Sequence, residues 1–469
     1  MDIKSTQADA YKLLHQGTLA LARAERQGLR IDRKYCTQEQ NKITELISNL
    51  EGELKQSSFY KEWTRSRGRK KLNIDSNAQL GEYLYEVCGH TPPKLTPSGL
   101  GSTDKESLKQ LDIPEIQTIL RIRKLKKIRD TYLKGFMKEQ INGFIHPHFK
   151  LHTATTYRSS SSSPNFQNIP KRDKEAQKIC RSALYPRRGH QLLEVDYSGM
   201  EVRASIFYHN DPTMKKYIND PDSDMHGDMA QQIFKIDDFD RSRPEHDTLR
   251  SAAKNGFVFP QFYGDYYGNN APTLACSWGE MPENKRWESG QGISIGDEKN
   301  LGEHLVSHGF RSLKSFTNHV QDIEEDFWER RFEVYNQWKK DWWRKYQNQG
   351  YIEMLTGFRC HGPMSKNDAT NYPVQGTAFH CLLWSFITVD KILTKKNMKT
   401  RIIGQVHDSI VLDVYPKELD KVCRLLEYVM TKKIRKHWPW VNIPLDIDAD
   451  LGGVDESWNE LEEYKFDEK

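Results

Sequence analysis

Residues 401–414, "RIIGQVHDSIVLDV", are the stretch that decides the fold. Apolar residues that favour β-structure occupy both ends, yet His407, Asp408 and Ser409 stand together in the middle. An ionised carboxylate is costly to bury unless it is paired or binds a metal. A hairpin turn would also explain the polar centre, because Asp and Ser are common in turns. The stretch therefore predicts β-structure whose centre is either a simple turn or a functional carboxylate.

The composition describes a globular chain with a polar surface. Its 469 residues suggest two to four domains, with 36% hydrophobic and 29% charged residues. No segment approaches the roughly 18 apolar residues of a membrane helix, and the N-terminus lacks the apolar core of a signal peptide. The seven cysteines contain no CxxC pair, which argues against a zinc site or a disulfide framework. We expect a cytoplasmic protein with no membrane partner.

Basic residues are concentrated in the first third of the chain. Residues 121–129 hold six basic residues in nine and residues 65–71 hold five in seven, although the net charge is only +5. Lys and Arg neutralise phosphates and release counterions, so these runs favour a polyanion partner. Solvated helix faces are the alternative.

A serine run at residues 159–163 has polar neighbours on both sides. The run alone suggests a flexible linker. Arg158 before it offers a guanidinium, and Asn165, Gln167 and Asn168 after it offer three amides. These groups can bind hydrogen-bond acceptors, which favours a binding segment over a linker.

Two aspartates stand at strand edges, 212 positions apart in the chain. Residues 190–207 begin as a strand and continue as a helix, with Asp196 where the strand ends. Asp408 holds the corresponding place in the opening stretch. Mg²⁺ prefers carboxylate oxygens, and two such ions can bind the attacking and leaving oxygens of a phosphoryl transfer. Single aspartates also cap many helices and turns, so this pair is suggestive only with further support.

That support comes from residues 250–264, "RSAAKNGFVFPQFYG". Arg250 and Lys254 are four residues apart and share a helix face, so they could hold a triphosphate. Phe259 and Tyr263 are also four apart and could stack on a base. An ordinary amphipathic helix is the alternative explanation.

The segments "DYSGMEVR", "RSAAKNGFVFPQFYG" and "QVHDS" resemble, in order, the three polymerase motifs of family A DNA polymerases, the bacterial DNA polymerase I type. The segments "TTYRSSSSSPNFQNIPKR", "NYPVQGTA" and "IPLDIDADLGGVDESW" also resemble family segments. So do "ERQGLRID" and "PSGLGSTDKESLKQL" near the start. The resemblance therefore covers nearly the whole chain, in the polymerase region only, and is strongest to phage-encoded members.

The resemblance implies an α+β right-hand polymerase fold with an antiparallel-sheet palm, helical fingers and a helical thumb. The implied domains are a thumb with a helical lead-in at 1–150, a first palm part at 151–225, fingers at 226–375 and a second palm part at 376–469. A loop-rich insertion at about 265–310 would belong to the fingers. No nuclease motif is evident upstream, so we expect a polymerase without its own exonuclease domain.

The resemblance also implies the catalytic groups. Asp196 and Asp408 match the two metal-binding carboxylates, and the backbone carbonyl of Tyr197 matches a further ligand. The expected cofactor is a pair of Mg²⁺ ions, with Mn²⁺ as a substitute. Lys254 matches the proton donor to the leaving pyrophosphate.

The deoxynucleotide site is implied residue by residue. His226, Arg250 and Lys254 match residues that grip the triphosphate. Glu201 matches the side chain under the incoming sugar, where it would clash with a 2′-hydroxyl. Phe259 matches the Phe-or-Tyr position associated with discrimination against dideoxynucleotides, and Tyr263 matches the aromatic at the templating site.

The primer–template contacts implied by the family check the shape of base pairs rather than their sequence, because minor-groove acceptors are nearly the same for every pair. The matching residues are Arg158, Asn165, Gln167, Asn168, Asn371, Gln375 and His407.

Three departures from the family pattern matter. Phe259 lies five positions after Lys254, where the family usually has a spacing of four, which predicts a wider helical turn or a break there. Without such a turn, Val258 would face the sugar. Ser409 stands where the family has a second acid after the metal-binding aspartate. Asn367 holds a usually basic place, with Lys366 beside it.

The predicted function is therefore template-directed DNA polymerisation in replication or repair, by two-metal-ion phosphoryl transfer. Its partners are primer–template DNA and dNTPs, with a separate exonuclease or processivity factor as an optional partner. If the chain is phage-encoded, the host cytoplasm is its location. The alternatives are a related reverse transcriptase, a single-subunit RNA polymerase, which Glu201 argues against, and a non-catalytic DNA-binding relative.

Overall fold

The computed structural model describes residues 5–96, 98–109, 111–276, 287, 292–296 and 299–466. The helical segments are Gln7–Gln27, Arg33–Gln56, Ser58–Ser66, Asn77–Gly81, Glu82–Val87, Lys105–Lys109, Pro114–Lys126, Lys127–Leu133, Lys134–Glu139, Phe166–Asn168, Lys174–Arg181, Met200–His209, Pro212–Asn219, Met225–Phe234, Pro244–Ala253, Lys254–Val258, Phe259–Phe262, Tyr267–Cys276, Leu301–Ser307, Leu313–Asp326, Phe327–Arg331, Glu333–Gln349, Lys366–Lys395, Pro416–Glu418, Leu419–Glu427, Tyr428–Lys433, Ile434–His437 and Trp458–Glu460. The short strands are Leu29–Ile31, Phe144–Ile145, His148–Lys150, Ser160–Ser162, Leu184–Tyr185, Ser294–Gly296, Lys299–Asn300, Tyr351–Glu353 and Arg359–His361.

One antiparallel sheet of five strands carries the functional residues. Its spatial order is Arg401–Val406, Ser409–Val414, Gln191–Tyr197, Ile447–Leu451 and Glu462–Glu463. We call Gln191–Tyr197 the central strand, the first two strands the hairpin, and Ile447–Leu451 the acidic strand. The central strand and Ser409–Val414 are buried along nearly their whole length, which explains their continuous apolar runs.

The register of the sheet fixes which side chains share a face. Asp196 of the central strand is paired with Ser409 of the hairpin on one side and with Asp448 of the acidic strand on the other. Directly paired residues project to the same face of a sheet, and so do alternate residues along a strand. Glu194 and Asp196 therefore share one face.

The long helix Lys366–Lys395 packs against the helices Gln7–Gln27, Met200–His209 and Glu333–Gln349. Its middle is buried around Phe379 and Phe386. Pro373 lies inside the helix and has no N–H to donate to the Ala369 carbonyl, which accepts a hydrogen bond of 3.0 Å from the Trp342 indole instead. This side chain replaces the backbone donor that a proline lacks.

A helix built from Pro244–Ala253, Lys254–Val258 and Phe259–Phe262, here called the Arg250 helix, runs without interruption past the predicted irregularity. At Lys254–Val258 the turn is wider than an α-turn, and the Phe259 N–H donates to the Lys254 carbonyl five residues earlier. The predicted wide turn is confirmed. It absorbs the additional residue, and Phe257 is buried against Phe327 with ring centroids 5.3 Å apart.

The basic helix Pro114–Lys126 buries residues at three-residue spacing, and helical structure continues to residue 139. The buried residues are Ile116, Ile119, Ile122 and Leu125. From residue 121 to the end of this helix, every position between the buried residues is basic. The helix therefore has an apolar side in the core and a cationic side on the surface.

The serine run is not a linker. Ser160–Ser162 forms a strand that pairs with His148–Lys150. The linker alternative is therefore wrong, because the backbone hydrogen bonds of this segment are made within the fold.

The predicted insertion at 265–310 is described in part, since residues 277–286, 288–291 and 297–298 lie outside the described residues. Its described part includes the helices Tyr267–Cys276 and Leu301–Ser307. Across the described chain, we find no helix with the length and apolar character needed to cross a membrane.

The sheet predicts one stability test. Leu412 is fully buried and pairs with Leu193 of the central strand, so Leu412→Ala leaves a cavity. We expect the free energy of unfolding to fall by about 2–5 kcal/mol in urea denaturation. Val454→Ala is the control, because half of that side chain is exposed, and equal losses in the two variants would contradict the sheet core described here.

Candidate active site

The two carboxylates predicted from the sequence lie on one pocket. The hairpin turn contains only His407 and Asp408, because Val406 and Ser409 form the last strand pair. His407 adopts a left-handed φ of 51°. Asp196 and Asp408 both line a pocket of about 210 Å³. The polar centre of the opening stretch is therefore both a turn and the support of a carboxylate that faces a pocket.

Asp196 is surrounded by other acids. Burial is the main cause that raises its pKa, to about 7, and the charges of Asp448, Glu194 and Asp450 raise it further. The Lys171 ammonium opposes the shift. A carboxylate placed in this way gains strongly from a positive charge brought close to it.

Asp408 is held by a chain of polar contacts across the pocket. One Arg158 nitrogen lies 3.6 Å from an Asp408 carboxylate oxygen, and the other donates to Glu201 at 2.9 Å. The Tyr263 hydroxyl donates to the second Glu201 oxygen. Burial raises the pKa of Asp408, and Arg158 partly offsets this effect. Four of the predicted residues are thus joined across the pocket.

The wide turn decides which residue of the Arg250 helix reaches the pocket. Phe259 lines the pocket together with Tyr263, whereas Val258 is fully buried. The Lys254 ammonium lies 5.3 Å from the Phe259 ring centroid, and the His226 ring lies edge-on to it at 5.7 Å. The turn therefore brings Phe259, Lys254 and His226 together.

Arg250 is paired with a residue that sequence analysis missed. Its guanidinium donates two hydrogen bonds to the Asp224 carboxylate, at 2.7 and 2.9 Å. Burial and the neighbouring charges of Arg250 and Lys254 lower the pKa of His226 to about 4. Arg250 and Lys254 do not line the Asp196 pocket. They precede its lining residues Phe259 and Tyr263 on the same helix. The Asp224 carboxylate therefore neutralises the charge of Arg250.

The far end of the Arg250 helix is held by the long helix. Asn371 donates to the Tyr263 carbonyl at 3.0 Å, and Asn367 donates to the Gly264 carbonyl at the same distance. Gly264 has a φ of 89°, and a Cβ there would meet the Asn367 side chain at 2.3 Å. The amide at 367, which replaces a usually basic residue, therefore has a structural contact, while Lys366 lines a neighbouring pocket.

Five of the seven predicted primer–template residues line one of two cavities. Asn371 and Gln375 line the Asp196 pocket. Gln167, Asn168 and His407 line a groove of about 1050 Å³. The same groove is lined by six cationic residues from the first third of the chain: Lys105, Lys109, Arg121, Arg123, Lys124 and Lys127. Asn165 lies beside the groove residues, where the Ser161 hydroxyl donates to its side chain at 3.1 Å.

Ser409 has a contact that its sequence position did not reveal. Its hydroxyl lies 3.1 Å from a Glu194 carboxylate oxygen on the central strand and 2.9 Å from the Val406 carbonyl. Glu194 is only 3% exposed. The signal was present in "LLEVD", because an acid two residues before Asp196 in a strand projects to the same face.

The donor set suits a hard divalent cation that is shared with a ligand. Asp196 and Asp408 supply two carboxylates, and Mg²⁺ in nucleotide sites is typically bound by one or two carboxylates plus substrate phosphates. Among the described residues, no group of three or more His, Cys, Asp and Glu side chains has the arrangement of a complete metal site. The residues therefore fit a site that substrate oxygens complete.

The pKa of Asp196 leads to a test on metal-free protein. Its value in the fold lies above the ordinary 3.8, so its contribution to stability is lost as the pH rises from about 4 to 7. Asp196→Asn removes the charge, and in EDTA we expect the variant to unfold at a higher temperature than the parent at about pH 8. The two should converge near pH 4, and an equal difference at both pH values would contradict the assignment.

Most of the chain is similar in sequence to known DNA polymerases. The model of DNA polymerase family A matches residues 40–281 and 311–460. The chain is 27% identical to DNA polymerase I of Lactococcus lactis subsp. lactis (strain IL1403), covering 88% of this chain and 42% of that protein. It is 27% identical to DNA polymerase I of Pseudomonas aeruginosa, with coverage of 94% and 43%. The DNA polymerase of Bacillus phage SP01 is 26% identical, with coverage of 79% and 38%. The chain spans less than half the length of these relatives.

A solved structure with a similar fold is the POL domain of Pol1 from M. smegmatis, in complex with DNA primer-template and dNTP. Its TM-score is 0.70 at 23% identity, and the match covers 95% of this chain and 70% of that one. The likeness confirms the α+β right-hand polymerase fold predicted from the sequence.

Proposed function

Because the chain belongs to DNA polymerase family A, we propose that it is a template-directed DNA polymerase that adds deoxynucleotides to the 3′ end of a primer. The observation that carries the proposal is the shared pocket of Asp196 and Asp408, lined on its other side by Glu201, Phe259 and Tyr263. Carboxylates for metal, a side chain under the sugar and aromatic rings for the base are then within one site. Replication or repair is the corresponding role.

The domains we propose follow the sequence division. Residues 1–150 form the thumb with its helical lead-in, residues 226–375 form the fingers, and residues 151–225 and 376–469 form the palm. The central strand and the hairpin belong to the two palm parts, so the two carboxylates meet only when those parts pair.

Duplex DNA is proposed to occupy the groove between the basic helix and the segment around Gln167. Several thumb cations are already paired: Arg121 binds Glu175, and Lys124 lies 2.7 Å from Asp173. Phosphates would compete with these carboxylates for the cations. Such contacts hold DNA without choosing a sequence, which suits an enzyme that must copy any template. Amides at Gln167 and Asn168 then face the minor groove.

The incoming nucleotide is proposed to lie along the Arg250 helix. Its triphosphate would replace Asp224 as the partner of Arg250, with Lys254 and His226 beside it. Its sugar would lie over Glu201, and its base would take the place between Phe259 and the templating position of Tyr263. The helix presents phosphate ligands and base-stacking rings in the order in which a nucleotide needs them.

Asp196, Asp408 and the carbonyl of Tyr197 are proposed to hold two Mg²⁺ ions, with Mn²⁺ as a substitute. When bound, such ions supply activation of the primer hydroxyl and neutralisation of charge on the leaving oxygens. Asp196 lies on the central strand, and Asp408 lies in the turn directly before the strand that pairs with it, so the fold sets their separation before substrate arrives. Lys254 carries the proton that we assign to the departing pyrophosphate, and Arg250 orients the phosphates that leave.

Primer extension tests the carboxylates. We expect Asp196→Ala and Asp408→Ala each to reduce dNTP addition by about 10³-fold, because each removes half of the proposed metal-binding pair. Asp420→Ala, at an exposed position on the helix Leu419–Glu427, is the control and should retain full activity. Undiminished extension by both pocket variants would refute the mechanism, and primer–template binding without any addition by the parent would favour a non-catalytic relative.

Nucleotide choice tests Glu201. We expect the parent to prefer dNTPs over rNTPs, and Glu201→Ala to narrow that preference by about 10-fold or more, because the side chain no longer blocks a 2′-hydroxyl. The measurement is the ratio of kcat/KM for the two nucleotides on a DNA template. A parent that prefers rNTPs would favour the RNA polymerase alternative, and one that extends only on RNA templates would favour a reverse transcriptase.

A further inference from the structure

Glu194 is a buried carboxylate for which the proposed reaction has no role. One of its oxygens accepts from the Trp458 indole at 3.0 Å and lies 3.4 Å from Arg181. The other accepts from the Ser409 hydroxyl at 3.1 Å and lies 3.4 Å from the Lys171 ammonium. A buried ion pair is often no more stable than packed apolar side chains, so its stability alone does not account for it.

Its position connects the central strand, which carries Asp196, with the hairpin, whose turn carries Asp408. Glu194 lies two residues before Asp196 on the central strand, and Ser409 is the residue directly after Asp408. The turn between the hairpin strands holds only His407 and Asp408. In so short a turn, displacement of Ser409 displaces Asp408 with it.

Glu194 also holds the segment that leads to the groove. The Arg181 guanidinium lies over the Trp458 ring at 4.3 Å and donates to the Pro170 carbonyl at 3.1 Å. The Phe166 ring stacks on the Trp458 ring, with the ring centroids 5.1 Å apart. The carboxylate therefore connects the central strand, on which it lies, with the hairpin through Ser409 and with the preceding segment through Lys171.

We propose that Glu194 is a positioning residue, whose buried carboxylate binds the hairpin turn through Ser409 and thereby sets the separation of Asp196 and Asp408. This inference rests on the proposed function, since it assigns the separation to a metal-dependent reaction. Glu194 itself touches no substrate. Its effect reaches the reaction through the place of Asp408.

Ser409→Ala is the decisive variant, because it removes the hydroxyl and leaves the contacts of Glu194 with Arg181 and Trp458 intact. Mn²⁺ binding to the DNA-free protein, measured by calorimetry, should weaken by about 3- to 10-fold, the effect of losing one ordinary hydrogen bond. In primer extension, kcat should fall by a similar factor, while KM for dNTP stays within about 2-fold because the Arg250 helix is untouched. Ser409→Cys keeps the volume and a weak donor, so it should give intermediate values.

Ser198→Ala is the matched control. The Ser198 hydroxyl also donates to a carboxylate beside Asp196, that of Asp448 at 2.5 Å, but it does not contact the hairpin turn. We expect its Mn²⁺ affinity and kcat to stay within about 2-fold of the parent. Equal losses in Ser198→Ala and Ser409→Ala would overturn the proposal, since they would indicate a general effect of losing a polar group near Asp196.

A double-mutant cycle separates Glu194 from the Val406 carbonyl, the other acceptor within reach of Ser409. In a Glu194→Gln background the loss caused by Ser409→Ala should shrink to less than about 2-fold, because the charged acceptor is gone. Full additivity would overturn the proposal and assign the effect to the hairpin alone. If Glu194→Gln does not fold because Arg181 is left unpaired, the comparison of Ser409→Ala with Ser198→Ala still decides.

The two proposals fail in different ways. A parent protein that binds Mn²⁺ but does not extend primers would refute the proposed function, and the change in Mn²⁺ affinity would still test the Glu194 contact. A parent that extends primers, with a Ser409→Ala variant equal to it in Mn²⁺ affinity and kcat, would refute the positioning role alone.

Discussion

The pairing of the central strand with the hairpin is the constraint on which the rest of the site depends. It joins segments 212 positions apart and places Asp196 and Asp408 on one pocket. Two acids in a partly buried place repel each other, and burial already raises the pKa of each. Continuous apolar strands on either side resist that repulsion, because a register slip would move every buried side chain to the wrong face.

The charged residues of the site are paired with one another. Asp224 binds Arg250, Glu201 and Asp408 share Arg158, and Tyr263 donates to Glu201. Each proposed contact to DNA or nucleotide must replace one of these ion pairs or hydrogen bonds. Unpaired charges in a half-buried cleft would be costly, so these internal partners stabilise the cleft. In the proposed exchange, one charged partner replaces another.

The wide turn of the Arg250 helix illustrates how an additional residue is tolerated. A five-residue spacing between Lys254 and Phe259 would rotate an ordinary α-helix by about 100° per added residue and bring Val258 to the pocket. The wider turn takes up that rotation locally, so Phe259 lines the pocket and Val258 stays buried. Packing of Phe257 on Phe327 fixes the turn on its core side.

Local patterns in the sequence determined the family, the fold class, the basic helix and the wide turn, because spacing along one element is a local property. Through motifs in order along the chain, the sequence also supplied part of the pocket lining, including Asp196, Glu201 and Asp408, but not other lining residues such as Phe262 and Tyr335. Only the tertiary structure decided which groups form contacts across the fold. Asp224 binds Arg250, Glu194 binds Ser409, and the serine run pairs as a strand with His148–Lys150. Such partners come from distant elements, and hydrogen bonds between them depend on packing and register that no single segment encodes.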